Sequence, residues 1–196
     1  MSDEIPSPPG ASPLSEEEKR EFFRAGEKAR SILKAERAAT FNGCTIGFFA
    51  ALTLLFSLSS PITALLGFGM AVVAWNEFRG REMIRHLDSR GPQLLGRNQL
   101  GFMALLIVYC LWSIARTRTH SLAGMEELEE VLGPVEDLAK TLAIYFYASV
   151  IVLTAVFQGL MARYYFARVG MMDAYMKDTP AWIVDLQRRG LWGSVR

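Results

Sequence analysis

Three long stretches without a single Asp, Glu, Lys or Arg constrain this chain more than any other feature. They are Ala38–Asn76 (39 residues), Asn98–Ala115 (18 residues) and Thr141–Ala162 (22 residues). A helix needs about 20 mostly apolar residues to cross a hydrocarbon core about 30 Å thick. One charge at mid-membrane costs roughly 2.5–3.5 kcal/mol on insertion scales. A soluble domain buries apolar runs in its core, but 196 residues are too few to bury three of this length. The averages, 51% hydrophobic and 21% charged, conceal the pattern because the charges are gathered into blocks between the runs.

The first run is too long for one crossing. At about 1.5 Å per residue it would reach about 58 Å, nearly twice the core thickness. Ser59-Ser60-Pro61 falls near its middle, and proline both stops one helix and suits the first turn of the next. The run therefore divides, and four spans are expected at about 41–58, 62–78, 99–115 and 142–165. The second is short. Asn76 and Glu77 are expected at the interface, with Arg79 and Arg81 snorkelling outward. A re-entrant hairpin is the alternative for this stretch, and it leaves the flanks on the same side.

The flanking segments follow from local signals. Residues 1–14, with Pro6, Pro8, Pro9 and Pro13, read as a disordered tail. Ser15 and Glu18 form a capping-box pattern that opens an amphipathic helix over 15–39. Its apolar stripe, Phe22, Phe23, Ala25, Ala29, Ile32 and Leu33, either lies on the membrane surface or packs on the other cytoplasmic segments. Gly91-Pro92 is expected to end a helical continuation of the second span. The loop 116–140 is acidic, with a short helix at Met125–Leu132 broken at Gly133-Pro134. Tyr145, Tyr147, Tyr164 and Tyr165 are placed as aromatic belts of the fourth span. Thr179-Pro180 stops the last helix and leaves a C-terminal tail, 179–196. There Trp182, Ile183 and Leu186 rest on the interface as a short helix, or cap the bundle. The expected fold is all-α: a four-span membrane bundle, 40–178, with an N-terminal amphipathic helix and a C-terminal interfacial one.

Orientation follows from Lys and Arg. The segment before the first span, the loop between spans two and three and the segment after span four together carry 18 of them, against 3 on the other side. Both termini are therefore placed in the cytoplasm. The acidic, polar N-terminus lacks a cleavable signal pattern, so the first span is expected to act as its own insertion signal.

Little in the sequence carries chemistry. A net charge of +1 makes no case for nucleic acid. Cys44 and Cys110 are too few and too far apart for a disulfide framework. Neither a nucleotide-binding loop nor a zincin or nucleophile-elbow motif occurs, and no cofactor or metal is expected. His86 and His120 fall on opposite sides of the membrane. Gly43, Gly47 and Ala51 in the first span, Gly67 and Ala71 in the second, and Ala155 and Gly159 in the fourth are small residues at helix-packing spacing, for a dimer or for the chain's own bundle. Arg79, Arg81, Arg85 and Arg90, with Trp182, Arg188 and Arg189, suit anionic head groups or an acidic partner. The expected partners are the bilayer and another membrane protein or a second copy. The role expected first is a non-enzymatic accessory or scaffold subunit. The alternatives are a small transporter or channel with a weakly polar path near Thr154 and Gln158, and a membrane enzyme using Glu77, Glu82, His86 and Asp88.

Overall fold

A computed structural model describes residues 14–57, 60–119 and 135–190. Among them there is no strand, and four helices are long and apolar enough to cross a membrane. The N-terminal tail to residue 13, His120, the acidic helix expected at Met125–Leu132 and its break at Gly133-Pro134 lie outside the described residues.

Helix α1 (Glu16–Leu55) begins at the capping box read from the sequence. Ser15 Oγ accepts from Glu18 N at 3.2 Å, and Glu18 Oε2 accepts from Ser15 N at 2.7 Å. The helix then runs 40 residues without a break. The segment 15–39 is thus continuous with the first span rather than a separate helix. Its stripe of Ala25, Ala29, Ile32, Ala35 and Ala39 is buried against the rest of the chain.

Helix α2 (Pro61–Arg85) starts where the long apolar run was expected to divide. Pro61 occupies the first turn, and the Ser60 hydroxyl accepts from Thr63 N at 3.4 Å. Helix α3 (Arg90–Thr119) starts earlier than expected. Gly91 and Pro92 lie in its opening turn rather than terminating α2, because a proline there lacks only an N–H that would be unsatisfied anyway. Asp88 Oδ1 accepts from Arg90 N at 2.9 Å and shapes the connection. Leu87 in that turn has φ 54°, strained by on the order of 1 kcal/mol for a residue with a Cβ. Its side chain is fully buried, which offsets the strain. Helix α4 (Val135–Asp178) runs 44 residues until Thr179-Pro180 stops it, and helix α5 (Ala181–Arg188) follows.

In space α1 packs along α2, α2 along α3 and α3 along α4, while α1 and α4 meet over only a short stretch. Two cores result. At the charged end, Ile32, Ile84, Leu87, Leu95, Tyr165, Met172, Tyr175, Ile183 and Val184 pack with the alanines of α1. Here α2 and α3 touch backbone to backbone: a Cβ on Gly91 would lie 3.0 Å from both Gly80 O and Ile84 N. Trp182 of α5 stacks on Phe22 of α1, centroids 6.4 Å apart, so the short C-terminal helix caps this end of the bundle. In the apolar half a thinner core of Ile46, Leu66, Met70, Val73 and Phe102 joins α1, α2 and α3. Outside it, Phe41, Phe56, Leu65 and Trp75 are exposed at 70–76%. Exposed apolar bulk on that scale suits hydrocarbon rather than water.

Candidate functional site

The two cores meet at a buried carboxylate. Leu66, Met70, Val73, Glu77, Gly80 and Ile84 are all buried on α2. They recur at alternating steps of four and three, the spacing of a helix face packed against neighbours. Glu77 occupies a place on this stripe where an apolar residue would be expected, and none of its surface is exposed. Its side chain therefore faces the other helices and not the surroundings of the bundle. Gly43 explains how α1 comes this close, since a Cβ there would lie 3.2 Å from Glu77 Cβ.

A buried carboxylate needs hydrogen-bond donors, and the sequence supplies them from three helices. Asn98 Nδ2 and Gln99 Nε2 of α3 each donate to Glu77 Oε1 at 2.8 Å. Tyr165 OH of α4 donates to Oε2 at 3.4 Å, and Asn42 Nδ2 of α1 donates to Tyr165 OH at 3.4 Å. Asn98 also donates to Val73 O at 2.9 Å and accepts from Asn76 Nδ2 at 3.2 Å. One network therefore ties all four long helices at a single level. None of the ion pairs among the described residues involves Glu77. Its donors are all neutral.

Beside the network lies a cavity of about 350 Å³, lined by residues of all four long helices. Its polar lining is Asn42, Thr45, Gln99 and Gln158, and its apolar lining includes Phe49, Met70, Phe102 and Phe157. Gln99 belongs to both structures: it lines the cavity and holds Glu77. The volume lies in the range of small-molecule sites.

The residues singled out in the sequence are distributed as follows. Gln158 reaches the cavity, whereas Thr154 is buried elsewhere on α4. Gly43 and Gly47 face α2, with Gly47 3.7 Å from Ala74 Cβ by its notional Cβ. Ala51 is exposed, and the place expected for it is taken by buried Ala50. Ala155 is exposed, and Gly159 has open space beside it. Arg81 and Arg85 converge on Glu36 of α1, at 3.4 and 3.7 Å, while Arg79 and Arg90 are exposed. Arg189 pairs with Asp185 at 2.9 Å, and Arg188 lies against the Met176 sulfur.

Within the Glu82, His86 and Asp88 group, the structure pairs the first two and gives Asp88 another partner. His86 Nε2 meets Glu82 Oε1 at 3.1 Å and its Nδ1 meets the Arg188 carbonyl oxygen at 2.8 Å, fastening α5 to α2. Asp88 is spent on the turn before α3, and Glu77 faces the polar network. Among the described residues no three His, Cys, Asp or Glu side chains converge as metal ligands would.

Sequence reasoning missed Asn98, Gln99, Asn42 and the inward role of Tyr165, which it placed in an aromatic belt. Tyr165 is fully buried. The available signal was the four-three spacing that carries Glu77 into the buried stripe of α2. The site and fold define an all-helical chain with four helices apolar enough to span a membrane, clasped by one buried carboxylate network. Comparison with protein-family models, with curated proteins and with solved structures finds no match.

Proposed function

We propose that this chain is a multi-pass membrane protein with both termini in the cytoplasm, and that it serves as an accessory or scaffold subunit. It works through helix–helix and cytoplasmic contacts rather than by catalysis. The observation that carries this reading is the contrast between the two halves. The charged half is closed by its own packing, with α5 and the N-terminal part of α1 covering its core. The apolar half leaves a broad face of α4 bare: Tyr145, Phe146, Val152, Leu153, Val156, Phe157 and Leu160 are exposed at 52–69%. Small Ala155 and Gly159 lie on the same helix and let another backbone approach. Arg79 and Arg90, exposed at the charged end, suit anionic head groups.

A photo-crosslinking residue at Phe157 or Phe146 tests this in native membranes, with the same residue at the fully buried Ile183 as the reference. The expected result is one discrete protein adduct, formed from the α4 positions and absent from Ile183, whose stoichiometry survives gentle detergent purification. Adducts with lipid alone at both α4 positions would contradict the scaffold reading.

A second reading, a small transporter or channel, is favoured by one observation: the cavity reaches Gln158 and touches the amide that holds Glu77. Ionisable residues in such spans mark functional paths more often than structural ones.

A further inference from the structure

The cavity beside the network has an electrostatic character of its own. No charged residue lines it among those described. Yet a carboxylate stands one amide behind its wall, because Gln99 lines the cavity and its Nε2 is 2.8 Å from Glu77 Oε1. The Gln99 side chain thus stands between the carboxylate and the cavity. Glu77 is met by amide and phenol donors alone, without an ion pair among the described residues. In a low-dielectric setting a cation several ångströms away favours the ionised form of a buried carboxyl that lacks a counter-charge, and the two then attract strongly. The same lining includes Phe49, Phe102 and Phe157, aromatic residues of the kind that attract cations.

We infer that this cavity binds a lipophilic cation, an ammonium or phosphonium centre carried on an apolar, largely aromatic body. The apolar lining disfavours hydrated inorganic cations, which would give up their water for too few oxygen ligands. The carboxylate disfavours an anion of any shape. A neutral lipid gains the apolar contacts but nothing from Glu77. Binding of this kind requires neither a protein partner nor movement of the ligand across the membrane. It therefore goes beyond both functional readings above.

The test compares two probes of nearly the same shape and opposite charge, tetraphenylphosphonium and tetraphenylborate. Equilibrium binding is measured on the full chain in a mild non-ionic detergent, as the portion displaced by excess unlabelled probe. The expected result is saturable binding of tetraphenylphosphonium near one per chain, at least tenfold tighter than tetraphenylborate. Glu77→Gln is expected to weaken the cation at least tenfold and leave the anion no worse. Thr45→Trp fills the cavity without touching the carboxylate network and is expected to abolish cation binding in a protein that still elutes as a single folded species. Equal affinity for the two probes, or undiminished cation binding by Thr45→Trp, would overturn the inference. Those two comparisons decide the matter even where Glu77→Gln does not fold.

Discussion

Glu77→Leu is expected to lower the unfolding free energy of the detergent-solubilised protein by on the order of 3 kcal/mol. The substitution keeps the apolar stripe of α2 but removes the acceptor shared by Asn98, Gln99 and Tyr165. Each buried donor left unsatisfied costs about 1–3 kcal/mol, and the lower end applies where a donor keeps a second partner, as Asn98 keeps Val73 O. For a chain of this size, that loss lowers the thermal midpoint by roughly 6–12 °C. The double variant Glu77→Leu with Asn98→Leu is expected to be less destabilised than the sum of the singles, because donor and acceptor leave together. Thermal unfolding followed by circular dichroism measures both. A loss under about 1 kcal/mol for the single variant would mean that the network is not formed as described.

The second large effect is steric. Gly91→Val places a side chain where α2 and α3 meet backbone to backbone, 3.0 Å from Gly80 O and Ile84 N. A flexible side chain can yield to such an intrusion, but a helix backbone yields only if the whole helix moves. The cost is expected to reach or exceed about 3 kcal/mol, the upper part of the overpacking range. Gly101→Ala is the matched comparison on the same helix. Nothing lies within 4 Å of its notional Cβ, so it should be neutral or stabilising by up to about 1 kcal/mol through helix propensity. The two are compared by yield of monodisperse protein and by thermal midpoint. Equal behaviour of the two variants would contradict the close crossing of α2 and α3.

What the sequence made legible is what depends on local composition. Charge-free length and the Ser-Ser-Pro interruption located four apolar helices, and Ser15 with Glu18 located the start of α1. These features are properties of a few neighbouring residues. The continuity of α1 through Ala39 and Thr40 was not legible, because the boundary between a charged and an apolar segment leaves no mark on backbone conformation. Gly91-Pro92 misled for a related reason: the same dipeptide closes one helix or opens another, and the turn at Leu87 decides which. The network around Glu77 was hidden because it is assembled from four helices. Its members, Asn42, Glu77, Asn98, Gln99 and Tyr165, each resemble ordinary interfacial residues when taken singly. Only the spacing of Glu77 with Met70, Val73 and Ile84 pointed inward.

The central proposal, four crossings with both ends in the cytoplasm, is tested most directly by cysteine accessibility in intact cells. Cys44 and Cys110 are free thiols and are first replaced by alanine. Single cysteines are then introduced at exposed positions as Glu21→Cys on α1, Arg118→Cys at the end of α3 and Lys177→Cys at the end of α4. A membrane-impermeant maleimide is expected to label only the Arg118→Cys protein in intact cells, and the other two after permeabilisation. Labelling of Glu21→Cys and Lys177→Cys from opposite sides would contradict an even number of crossings, and labelling of both from outside would contradict the orientation.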